Sequence, residues 1–216
     1  HGVNKSHLTM TSFFMLTTKT ELNRRCSMFY YPHHQRSSYL LHLLFISVFS
    51  GLCLDLGSNL YLLFSGHPLN NFESLGRYLV YITQGHPLVE SIQQVPAVPH
   101  DVLIGWIMHF SVSLAYTVFY ISFVEKGLFL KPSLKKSLVY AWSLLFFPLV
   151  VVSYAFGQGF FHVNSPNTIQ AILFSIYCHS CYGIGLFITT KVLYKSRLEI
   201  FKEAKEHHAK VASTEG

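Results

Sequence analysis

Four apolar stretches, each long enough to cross a bilayer as a helix, predict an all-α polytopic membrane protein. Three observations carry that prediction. Half of the 216 residues are hydrophobic and only 12% are charged, about half the charged share of a soluble domain. The apolar residues gather in long blocks that run all round the helix, as lipid-facing segments do. The basic residues, which give a formal charge of +6, flank those blocks. They form no stripe with interleaved aromatics, so the expected partner is the lipid bilayer and no nucleic acid.

The elements follow in order. Residues 1–38 read as a cytoplasmic leader, with Met28 a plausible initiator inside it and no sustained apolar run of a signal peptide. A hydrocarbon core about 30 Å thick needs about 20 residues of helix. The expected spans are residues 39–64, 102–124, 137–160 and 168–194. Pro148 is expected to kink the third. The tail, 195–216, is basic, with helical composition at first that then frays.

The connections supply a second line of argument. Lys5, Lys19, Arg24, Arg25 and Arg36 precede the first span. Lys126, Lys131, Lys135 and Lys136 lie between the second and third, and the tail holds five more. The other two connections hold Arg77 alone. Basic segments thus alternate with nearly uncharged ones, which predicts both termini on the cytoplasmic side. Within the long first outer loop, Phe72 to Ile82 has apolar residues at helical spacing, and a short interfacial helix is expected there. Two copies of "GHPL", at 66 and 85, bracket it like matched turns.

Ionisable residues inside a span are costly and mark either a functional site or a structural partner. Three stand out: Asp55, His109 and His179. At 1.5 Å per residue they lie roughly 14, 10 and 16 Å below the outer ends of their spans, in one outer-to-middle layer. Asn59, Ser113, Tyr154 and Gln158 join that layer. Two readings fit it. In one, Asp55 and a histidine form a buried pair that fixes helix register. In the other, the layer holds a small ligand, a proton or a metal; two His and a carboxylate suit zinc or iron, and two His suit haem. "CHSC" at 178–181 lacks the second half of a zinc site and reads as helix packing. No Gly-x-Ser-x-Gly, His-Glu-x-x-His or phosphate loop is present, so no catalytic residue is assigned and the chain is not designated an enzyme.

At these residues a resemblance emerges. "GLCLDLGSNLYLLF", "LGRYLVYITQGHP", "VPAVPHDVLIGWIMHF", "LKPSLKKSLVYAWSLLFFPLVVVSYAFGQGF" and "SIYCHSCYGIGLF" resemble, in order, the bacterial membrane proteins grouped as domain of unknown function 2938. The resemblance covers about residues 45 to 194. It points to Asp55, Arg77, His86, Trp106, His109 and His179. Tyr78 stands where that pattern has Trp and Phe110 where it has Tyr, while "PHD" at 99–101 replaces a Gly-Glu pair and leaves Asp101 as the stand-in acid. The resemblance implies a multi-pass protein of the bacterial inner membrane and no particular activity. The expected function is movement or sensing of a small solute or proton at an outward-facing Asp/His site, without a cofactor. With four spans, a translocation path is expected to need a homo-oligomer. The alternatives are a metal- or haem-binding enzyme or electron carrier built on His109, His179 and Asp55, and a structural subunit without ligand.

Overall fold

The structure, a computed structural model, describes residues 33–125 and 131–214, with side chains from residue 39 to 194 outside that gap. The leader to residue 32 lies outside the described residues. The chain divides into two units, residues 1–40 and 41–216. Of the first, the described part is the opening of a helix; the second holds everything that follows.

All regular structure among the described residues is helical. Five helices run in order: α1 (His33–Phe64), α2 (Glu73–Thr83), α3 (Asp101–Phe119), α4 (Leu134–Ser143) and α5 (Thr168–Thr214). Four segments are long and apolar enough to cross a membrane: Tyr39–Phe64, Asp101–Val124, Leu134–Ala155 and Thr168–Tyr194. Their surfaces are inverted relative to a soluble protein. Leu56, Ile107, Phe123 and Leu173 are exposed, while Ser47, Ser50, Asp55, Ser113 and Thr117 are buried. With lipid outside, apolar burial drives nothing, so small and polar residues line the contacts between helices.

Two spans carry π turns. α3 continues through Tyr120–Val124 in π geometry. α4 breaks after Ser143, resumes as a π turn over Phe147–Val152 with Pro148 near its start, and closes with Ser153–Ala155. Pro148 has no N–H for the carbonyl four residues back. That carbonyl, on Leu144, accepts instead from Phe147 N at 3.0 Å. The third span therefore starts and stops earlier than the expected 137–160. Gly157 and Gly159 both take positive φ, and the chain turns there instead of continuing as helix. The tail differs in the other direction: α5 runs unbroken to Thr214. Its Glu-, Lys- and Ala-rich sequence favours helix.

The two "GHPL" copies are the same device. Gly66 and Gly85 sit at φ 70° and 89° just beyond α1 and α2. His67 N donates to Leu62 O and Gly66 N to Leu63 O; His86 N donates to Tyr81 O and Gly85 N to Ile82 O. These paired bonds are Schellman caps, with proline next to prevent helix from resuming.

The register is antiparallel between neighbours. Ser113 Oγ donates to Ser47 O at 2.9 Å across α1 and α3. Tyr140 OH donates to Tyr116 O at 2.6 Å across α3 and α4. Trp142 Nε1 donates to Ser180 Oγ at 3.0 Å across α4 and α5. Close approach at Gly57 to Cys181 and at Gly185 to Ser50 and Cys53 seats α5 against α1.

Candidate functional site

α1 and α3 bring Asp55 and His109 together. At about 3.6 residues per turn, Ser47, Gly51, Asp55 and Ser58 fall on one face of α1. On α3, Gly105, His109, Ser113 and Thr117 do the same. The small side chains at Gly51 and Ser113 let the two backbones close, and His109 Nε2 then stands 3.1 Å from Asp55 Oδ1. Asp55 is 5% exposed. The contact is short but poorly aligned: neither carboxylate oxygen, nor His109 Nε2, has a hydrogen-bond partner of normal geometry. The Cys178 thiol of α5 lies within electrostatic range of the same carboxylate.

An aromatic wall closes over the pair. Phe72 stacks on His109 with ring centroids 4.2 Å apart, and Trp106 meets Phe72 edge-on at 4.8 Å. Phe110 stacks on Trp106 and meets His109 edge-on. Phe72 holds this place at φ 60°, a left-handed conformation that a non-glycine residue adopts only under constraint. The constraint is visible. Phe72 O presses on Gly105 and Asp101 O on Gly76, each where a Cβ would overlap. Arg77 Nε then donates to Asp101 Oδ2 at 2.7 Å, and Arg77 also pairs with Glu73 at 3.0 Å. The hydrogen bond to Asp101 holds the Arg77 pKa above its already high value, so the guanidinium of this clamp is charged at every working pH.

The remaining candidates lie elsewhere. His179 Nδ1 is 3.0 Å from Ser175 O on its own helix. Asn59 Oδ1 accepts from Asn70 N at 2.9 Å and ties down the loop after α1. Tyr154 is exposed and stacks on Phe160 at 4.5 Å. His86 stacks on Tyr81. Among the described residues no three His, Cys, Asp or Glu side chains converge as a metal-ligating group.

A second polar centre had no counterpart in the sequence reading. Glu125, 0% exposed, accepts from Lys136 Nζ at 2.9 and 3.0 Å and from Tyr120 OH at 2.8 Å. Tyr120 OH also lies 2.7 Å from Ser137 Oγ. The signal was an acid directly after an apolar run, with a lysine eleven residues on. Removing the cation alone would strand a buried carboxylate, so Lys136→Met is expected to cost about 3 kcal/mol. Adding Glu125→Gln to that variant is expected to restore most of it, as denaturation in detergent would read.

Beyond the third span, Ser153 Oγ donates to Gly159 O and accepts from His162 N, and the His162 ring pairs with Gln158 Oε1 at 2.8 Å. Burial pushes the His162 pKa below 6.5. The unfolded chain therefore takes up this proton first. The stability contributed by neutral His162 is full above pH 6.5 and is lost as pH falls through its lowered value. The imidazole C–H resonance is expected to titrate below 6.5, and His162→Asn to remove that part of the acid sensitivity.

Comparison with known proteins matches residues 44–193 to the family model described as Protein of unknown function (DUF2938). No curated protein and no solved structure matches the chain.

Proposed function

The chain belongs to the family Protein of unknown function (DUF2938), and on that footing we propose that it binds and moves protons at an intramembrane Asp55–His109 site. The setting proposed is a bacterial inner membrane, with four spans and both termini cytoplasmic. The alternation of basic and uncharged connections supports that orientation. α2, with aromatic and aliphatic residues at helical spacing, then lies along the outer interface.

One observation carries the reading. The Asp55 carboxylate is buried, and its oxygens have no aligned donor although an imidazole nitrogen stands 3.1 Å away. A buried pair that served only to fix register would need good geometry and further hydrogen bonds to offset its desolvation. Asp55 lacks them. A loosely held carboxylate beside an imidazole, which both accepts and donates, suits proton exchange. The wall of Phe72, Trp106 and Phe110 offers hydrated ions and polar solutes nothing to replace their water, which favours the proton over larger cargo.

Difference infrared spectroscopy of the protein in lipid, recorded on acidification, tests this. A carboxylic acid band is expected to rise as pH falls in the wild type and to be missing in Asp55→Asn. Identical difference spectra for the two would overturn the reading.

A further inference from the structure

We infer that the proton path runs through the interior of a single chain, along one face of α3, to a second proton site at Glu125. The inference rests on the proposed reading of Asp55 and His109. It starts from a pattern: His109, Ser113, Thr117 and Tyr120 follow one another at intervals of four, four and three residues, which is one helical face. Ser113, Thr117 and Tyr120 are all buried. A span that turns three hydroxyls inward on successive turns, with Leu103, Ile107 and Phe119 turned outward, has a polar interior to serve.

Hydrogen bonds join parts of this row, and Tyr182 reaches Ser113 at its backbone carbonyl. Tyr182 OH of α5 donates to Ser113 O at 3.2 Å and lies 3.1 Å from Thr117 Oγ1. Ser113 Oγ also meets Ser47 Oγ at 3.4 Å. Tyr120 OH donates to Glu125 and adjoins Ser137 Oγ. Between His109 and Ser113, and between Thr117 and Tyr120, the step is one helical turn, and the proposed path needs a water in each of these two gaps. Ser50, fully buried nearby on α1, has a hydroxyl without a partner.

The transfer balances. A proton taken up by the Asp55–His109 pair leaves from His109 to the first hydroxyl. Each hydroxyl accepts one proton on a lone pair and passes its own onward, so none is consumed. Tyr120 hands a proton to Glu125. Lys136, 31% exposed on its side chain, releases one of its own to the water it faces and regains one from Glu125. One proton has crossed, and every group is as it began. No second copy of the chain is required, in contrast to the homo-oligomer expected from four spans.

The test uses full-length protein in vesicles of phosphatidylcholine and phosphatidylglycerol, with a trapped pH dye and a potassium gradient opened by valinomycin. Thr117→Val and Tyr182→Phe keep shape and lose a hydroxyl; each is expected to slow proton flux at least about tenfold. Thr117→Ser is expected to restore it, and Glu125→Gln to abolish it. Each variant is first required to elute as a folded protein and to retain the Asp55 infrared band. Wild-type flux in Thr117→Val and Tyr182→Phe would overturn the path and leave the Asp55 reading standing. So would a wild type whose Asp55 band responds to pH while no proton crosses. Absence of that band in the wild type would instead remove the reading beneath it.

Discussion

His109→Ala is expected to destabilise the protein by about 3–5 kcal/mol, because it leaves the Asp55 carboxylate buried without its imidazole partner. Among the described residues the contact at 3.1 Å is the one side-chain pairing of that carboxylate. Asp55→Asn removes the charge and keeps the shape, so its cost is expected to be nearer 1 kcal/mol. The ordering is diagnostic. If desolvation of the carboxylate dominates, adding Asp55→Asn to His109→Ala is expected to recover most of the loss, since the stranded charge is gone. Packing gives a different result: the Phe72 and Trp106 rings rest on His109, and a double variant as unstable as His109→Ala alone would assign the loss to them. Denaturation in detergent of the three variants separates the two.

Gly105→Ala is the second large effect. A Cβ there overlaps Phe72 O, which is backbone and cannot swing aside as a side chain would. The chain at Phe72 is already held at φ 60°, so it has little freedom left to yield. The cost is expected near the upper end of overpacking, about 3 kcal/mol. Gly76→Ala overlaps Asp101 O on the other side of the same crossing. Both substitutions pry α2 from α3, so the double variant is expected to cost little more than either alone. A structural readout accompanies the loss: once Phe72 lifts from His109, its amide and that of Gly76, whose N donates to Phe72 O at 3.1 Å, are expected to exchange with solvent faster.

How far the sequence led, and where it stopped, follows from what each kind of pattern encodes. Length and hydropathy placed the spans, because a bilayer sets one dimension and lipid sets one polarity. Rise per residue gave depth, and depth brought Asp55 and His109 to one level. It gives no azimuth. His179 shared the depth, but its ring nitrogen meets Ser175 O on its own helix. Glu125 was passed over because it stands one residue beyond an uncharged run, where an acid reads as loop. Its burial depends on a π turn and on Lys136 folding back from the next helix. Phe72 read only as the start of the interfacial helix. Its role comes from a left-handed backbone pressed against Gly105 of α3, a tertiary constraint that no local periodicity records. The short third span is a similar case: Gly157 and Gly159 take positive φ and turn the chain short of residue 160.

The aromatic wall and the two carboxylates divide the work. In the proposed reading Phe72, Trp106 and Phe110 screen the Asp55–His109 pair, and Glu125, which accepts from Tyr120 and Lys136, is the second proton site. The measurement that bears most directly on the whole is proton flux into valinomycin-clamped vesicles, compared between the wild type and Asp55→Asn at equal protein density. Flux in the wild type that disappears in Asp55→Asn is the predicted result. Equal flux in both, with both proteins folded, would contradict it.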